Sequence, residues 1–218
     1  AMKTAKKAIR GEEPWTAAAA AKEIDELLAT GKFVGIGEGM PANSAGRKTL
    51  SMNERLDQMR PMFDLARKYK VVARVHTGVV MGYPMTHHYW PESLHPLWIA
   101  DLAVEYPDVA IMLDHGGMQG WWSERTVEEA WTVAAANDNV YLECGYYWTE
   151  LYGKALRDPN IGPEKLVWGT DWGASVPFHT QYGQVPQAYP VQVRNQPPVQ
   201  HQVDCWGWSL RQMAALNI

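Results

Sequence analysis

Residues 71–78 read VVARVHTG, an apolar run interrupted once by arginine, stopped on a histidine and turned at a glycine. A strand with one wet face alternates apolar with polar side chains, whereas a strand covered on both faces does not. Val71–His76 is therefore expected as a buried strand of a parallel sheet. The same pattern recurs on both sides of it. KFVGIGE (32–38) precedes it, and VAIMLDH (109–115), NVYLEC (139–144) and KLVWGTD (165–171) follow, each meeting a glycine within two residues of its end.

Helical periodicity fills the gaps between these runs. Ala17–Ala29 carries Ile24, Leu27 and Leu28 on one face behind a Thr16 N-cap. Asn53–Lys70 carries Leu56, Met59, Phe63 and Ala66, with Pro61 inside predicting a kink or two abutting helices. Further helices are expected over Pro96–Tyr106, from a Ser123 cap to Ala136, and over Trp148–Leu156. From residue 174 the chain is rich in Pro and Gln and reads as an irregular tail that ends in a helix, Trp206–Leu216. Strand and helix alternate strictly, which places the chain in the α/β class as one domain over residues 1–218, its core at 16–173. Periodicity alone leaves a doubly wound sheet and a barrel both open.

Bulk properties exclude several classes of function. With 46% hydrophobic and 20% charged residues the chain is composed like a folded globular protein. A formal charge of −4, with both signs interspersed, gives no basic surface for nucleic acid. No apolar run reaches the roughly 20 residues of a membrane helix, and the start lacks a signal peptide's apolar core. The two cysteines, Cys144 and Cys205, make no disulfide framework, so a cytoplasmic location is expected. Eleven tryptophans, many outside the periodic segments, point to an aromatic cleft or to ordinary core packing.

Parallel strands joined by helices gather their C-terminal ends on one face, where barrel enzymes keep their chemistry. His76, His115 and Asp171 fall at three such ends, and Glu38, expected as a substrate contact, at a fourth. Two neutral imidazoles and a carboxylate suit a divalent ion such as zinc, with manganese as a second choice, leaving a position open for water. Singly, each residue has a plainer reading: a packed histidine, an Asp that caps a turn, a Glu that forms an ion pair. The three together are harder to assign to packing. Arg74, two residues before His76, shares its side of the strand and is expected to meet a substrate carboxylate or to pair with Asp114 or Glu143. The loop THHYWPESLHP (86–96) places His88 and Trp90 either over the mouth of the site or on the surface. Tyr146 and Trp172 follow two other strand ends as substrate contacts. His179 and His201 read as surface residues, and Cys144 as a small buried side chain.

Taken together, GKFVGIGEG (31–39), VVARVHTG (71–78), IMLDHGG (111–117) and LVWGTDWG (166–173) resemble the amidohydrolase superfamily. The resemblance lies in its amidohydrolase-related branch, that of aminocarboxymuconate semialdehyde decarboxylase, and covers Thr16 to Gly173. It implies a (β/α)8 TIM barrel in which His76 ends the fifth strand and binds metal. It also implies that His115 ends the sixth strand and binds a second metal or acts as acid/base. Asp171 would end the eighth, binding metal and handling the proton of the attacking water. The family's His-x-His pair on its first strand has no counterpart here, and the residues before Thr16 are too few for three more strands. Strands four to eight of a partial barrel are therefore expected. Ala1 ahead of Met2 reads as the scar of a cleaved tag, and the missing strands predict a homo-oligomer or a completing chain. The expected activity is hydrolysis of a small-molecule ester, lactone or amide, with Asp171 and His115 catalytic. The alternatives are non-oxidative decarboxylation of an aromatic acid, and an inactive barrel fragment serving as an assembly module.

Overall fold

The computed structural model describes residues 2–41, 50–78, 95–118, 124–169, 176–179, 200–203 and 205–216. Helices α1 (Met2–Ile9) and α2 (Ala17–Leu28) precede strand β1 (Gly35–Gly39). There follow α3 (Met52–Tyr69), β2 (Val72–His76), α4 (Ile99–Glu105), β3 (Ile111–Asp114), α5 (Glu124–Ala136), β4 (Val140–Glu143), α6 (Thr149–Arg157) and β5 (Leu166–Val167). A separate antiparallel pair, β6 (Val176–His179) and β7 (Gln200–Val203), precedes α7 (Cys205–Ala214).

The helix boundaries have local causes. Thr16 accepts from the Ala19 N–H at 3.1 Å, satisfying one of the donors a helix start leaves open. Ser51 and Glu54 form a reciprocal capping box at the start of α3, at 3.3 and 2.8 Å. Pro61 lies within that single helix, so two abutting helices are not what forms. Among the described residues, no helix is long and apolar enough to cross a membrane.

The five strands β1 to β5 form one sheet in sequential order, every neighbouring pair parallel. A doubly wound sheet reverses its order at a switch point; this one does not. Right-handed crossovers that always step the same way put all the helices on one face, the arrangement of a barrel wall. Alternation along the strands then divides the side chains. Ala73, Val75, Ile111, Leu113, Val140 and Leu142 point to the helix layer and meet Phe63, Ile99, Leu102 and Ala130 in a buried core. Arg74, His76, Asp114 and Glu143 belong to the opposite set, and His76 lies beside Asp114 across β2 and β3.

Two expectations are corrected. The β3 strand stops at Asp114, because His115 turns into a left-handed conformation and opens a short 3-10 turn, His115–Gly117. The stretch after residue 173 is not wholly irregular, since β6 and β7 pair from Val176 opposite Val203 to His179 opposite Gln200. Pro177 is tolerated there because a two-stranded ribbon has outward-facing edges.

Candidate metal centre

Glu38 reaches its place through an irregularity in β1. Ile36 lies beside Ala73, but Gly39 lies beside Val75, so three steps along β1 match two along β2. The extra residue inverts the alternation. Unbroken alternation from Ile36 would carry Glu38, two residues on, into the core; with the bulge, Gly39 takes the core-facing position. A Cβ on Gly39 would stand 2.7 Å from the Met62 sulfur, so the ends of the Met62 and Met59 side chains on α3 fill the space beside it. Glu38 is left on the same side as Arg74 and His76.

There it meets both histidines. Glu38 Oε1 is hydrogen-bonded to His76 Nδ1 and, at 2.9 Å, to His115 Nε2. The two imidazole rings stand edge to face, their centroids 4.8 Å apart. Both histidines are buried, while Glu38 is 30% exposed on its side chain and so opens the group to one side. Burial opposes charge on Glu38, but the hydrogen bonds from His115 and His76, with the positive charge of those rings, outweigh it. The carboxyl is held well below the usual carboxylate range.

The surroundings are acidic. Asp114 is fully buried, and its Oδ1 accepts from Arg74 Nε at 2.9 Å. Burial pushes its carboxyl up to about 6 even against the pull of the Arg74 charge. Glu143, buried at the end of β4, accepts from the His115 N–H at 2.9 Å and the Gly145 N–H at 2.7 Å. Its Oε2 also lies 3.7 Å from His115 Nδ1.

His115 itself is held in a tight turn, with φ of 66° at His115, 53° at Gly116 and 85° at Gly117. Left-handed geometry is unfavourable for a histidine and persists only when its surroundings impose it. Three side chains do so. Thr77 donates to the Asp114 carbonyl at 2.6 Å and accepts from the Gly117 N–H at 2.9 Å. Tyr147 donates to the Gly116 carbonyl at 2.8 Å while accepting from Trp131 Nε1 at 2.8 Å. Glu143 holds the His115 amide, as described above. The Tyr146 ring packs edge-on against the His115 ring, 5.2 Å between centroids.

Of the residues expected at the site, the structure brings together His76, His115, Glu38 and Arg74, with Tyr146 beside them. Arg74 pairs with Asp114, one of the two partners foreseen for it. Asp171, Trp172, His88 and Trp90 lie outside the described residues. The hold of Thr77, Glu143 and Tyr147 on the His115 turn was not anticipated; Glu143 was foreseen only as a partner for Arg74. The signal for Glu143 was present, an ionisable residue ending the apolar run NVYLEC just as His76 ends its own. Cys144 is buried, and burial pushes its thiol up to about 12, which leaves it unreactive at neutral pH.

Glu38, His76 and His115 each offer one ligand atom, and these atoms lie within 4.8 Å of one another. Two imidazole nitrogens and one carboxylate oxygen are a donor set that zinc accepts in catalytic sites. Among the described residues, the carboxylates of Asp114, Glu38 and Glu143 all act on the Arg74 guanidinium. A divalent cation fits the donor set.

Parallel strands in sequential order, with imidazole and carboxylate donors gathered at their C-terminal ends, define an α/β protein of the TIM-barrel type with a candidate metal centre. The chain belongs to the amidohydrolase family, whose model matches residues 13–196. Comparisons with curated proteins and with solved structures give no match.

Proposed function

We propose that this chain is a metal-dependent hydrolase acting on an ester, lactone or amide bond of a small molecule. The observation that carries this reading is the convergence of Glu38, His76 and His115 at one end of the sheet. When bound there, a divalent ion supplies Lewis acidity toward a carbonyl and lowers the pKa of water toward 7. Zinc is the ion this donor set favours, with manganese second. Glu38 contributes the anionic oxygen and His76 and His115 the neutral nitrogens. Arg74 keeps Asp114 ionised and stands on the same side of β2 as His76.

Asp171 is the carboxylate assigned to take the proton of the attacking water. Its support is its position in the sequence, shortly after β5, beside the strand that ends at Glu143. His88, Trp90, Tyr146 and Trp172 are assigned to the substrate side; Tyr146, already against His115, has the most direct support. The five strands are read as the last five of a barrel of eight, with a second copy or another chain pairing beside β1.

Protein purified without chelator and loaded with zinc or manganese is offered aryl esters, lactones and anilides. Metal-dependent turnover is expected, reduced about 100-fold or more in Asp171→Asn. Carbon dioxide release from hydroxybenzoates, with no hydrolysis, would instead make the chain a decarboxylase. A protein that takes up no divalent ion would be an inactive module.

A further inference from the structure

We infer that Glu143 is the positioning residue of the centre, setting the His115 ring so that its Nε2 faces Glu38. This rests on the reading of Glu38, His76 and His115 as a metal centre. Two main-chain N–H groups converge on Glu143: that of His115 on Oε2 at 2.9 Å and that of Gly145 on Oε1 at 2.7 Å. The two N–H groups fall on different oxygens of Glu143, and a carboxylate offers an acceptor at both positions where an amide puts an NH2 donor at one. The oxygen that holds the His115 main chain also stands 3.7 Å from the Nδ1 of its ring. One side chain therefore acts on His115 twice. It stabilises the unfavourable left-handed backbone, and it places negative charge behind the ring nitrogen opposite the one that meets Glu38.

A carboxylate behind a ligating imidazole fixes the ring's orientation and makes the nitrogen facing the ion a better donor. Glu143 is on the right strand for this task. β4 pairs with β3, and the backbone that would otherwise crowd Glu143 is glycine at 145 and 169. Thr77 and Tyr147 secure the rest of the turn through main-chain atoms. Among the described residues, Glu143 and Glu38 are the two carboxylates within 4 Å of the ring nitrogens of His115.

The test compares wild type with Glu143→Gln in two measurements. In metal-free protein, nuclear Overhauser contacts between the His115 and Tyr146 rings report ring orientation. They are expected in wild type and expected to be lost in the variant. In the second measurement, zinc affinity is read by competition with a chromophoric chelator, and the variant is expected to bind about 10- to 100-fold more weakly. A purely structural Glu143 would lower the unfolding midpoint while leaving the ring contacts in place. Retention of those contacts in Glu143→Gln, whatever the affinity, overturns the inference. If the contacts are lost but wild type binds no zinc, Glu143 still positions His115 and the metal reading alone fails. Should Glu143→Gln not fold, Glu143→Asp keeps the charge, withdraws it by one methylene, and is expected to lose the same contacts.

Discussion

Glu38 shares one oxygen between two buried rings, so its removal strips the anionic donor and leaves two imidazoles facing each other. Glu38→Gln and His76→Ala are each expected to weaken zinc binding by on the order of 100-fold or more, measured by chelator competition. Unchanged affinity in both would remove this trio as the metal site. The histidines were legible because each closes an apolar run where a strand has no packing reason for an ionisable group. Glu38 was legible as a strand-end residue but was read as a substrate contact. Which strand ends meet across a sheet depends on register, and register is not written in any one segment. Asp114 gives a pH prediction for the metal-free protein. Burial raises its pKa from 3.8 to about 6, so the folded state holds that proton more tightly than the unfolded chain. Its contribution to stability is then full below about pH 4 and lost as pH rises through about 6, a change of roughly 3 kcal/mol. Urea denaturation across that range, in chelator, should show this fall in wild type and not in Asp114→Asn.

The elements themselves were the most readable part. The apolar runs marked the strands of the sheet to within a few residues, and the caps at Thr16 and Ser51 are short-range chemistry. The irregularity in β1 was not readable, because GKFVGIGEG alternates plausibly in either phase. It makes a sharp prediction. Deleting Gly37 should restore regular alternation with Ile36 still beside Ala73 and Gly39 still beside Val75, so Glu38 falls opposite Arg74 on the site side and metal affinity is kept within about 10-fold. A deletion that abolishes affinity as fully as Glu38→Gln would contradict the register described for β1. The turn after β3 can be probed through Thr77, whose hydroxyl serves one donor and one acceptor of the main chain. Thr77→Val is expected to cost about 2 to 4 kcal/mol in chemical denaturation, since both groups stay buried without it. The β6–β7 pair escaped notice because Pro and Gln dilute its pattern and residues 180–199 separate its strands.

Over the whole molecule, the sequential sheet has two ends. Among the described residues β1 is paired on one side only, and just before it Phe33 and Val34 are 47% and 85% exposed. Val167 and Trp168 are exposed at the other end of the sheet. An apolar, half-paired edge invites another strand. Sedimentation velocity is expected to show concentration-dependent association, reduced by Val34→Lys, whereas a monomer at every concentration would argue against pairing at β1. The choice between barrel and doubly wound sheet could not be made from sequence, because both have the same order of elements; only the spatial order of strands separates them.

That spatial order also settles how the chain's labour is divided. Among the described residues, all three donors come from β1, from β2 and from the turn directly after β3, so one stretch of chain, residues 38 to 115, carries them. Within those residues, ion holding is concentrated in the first three strands of the sheet.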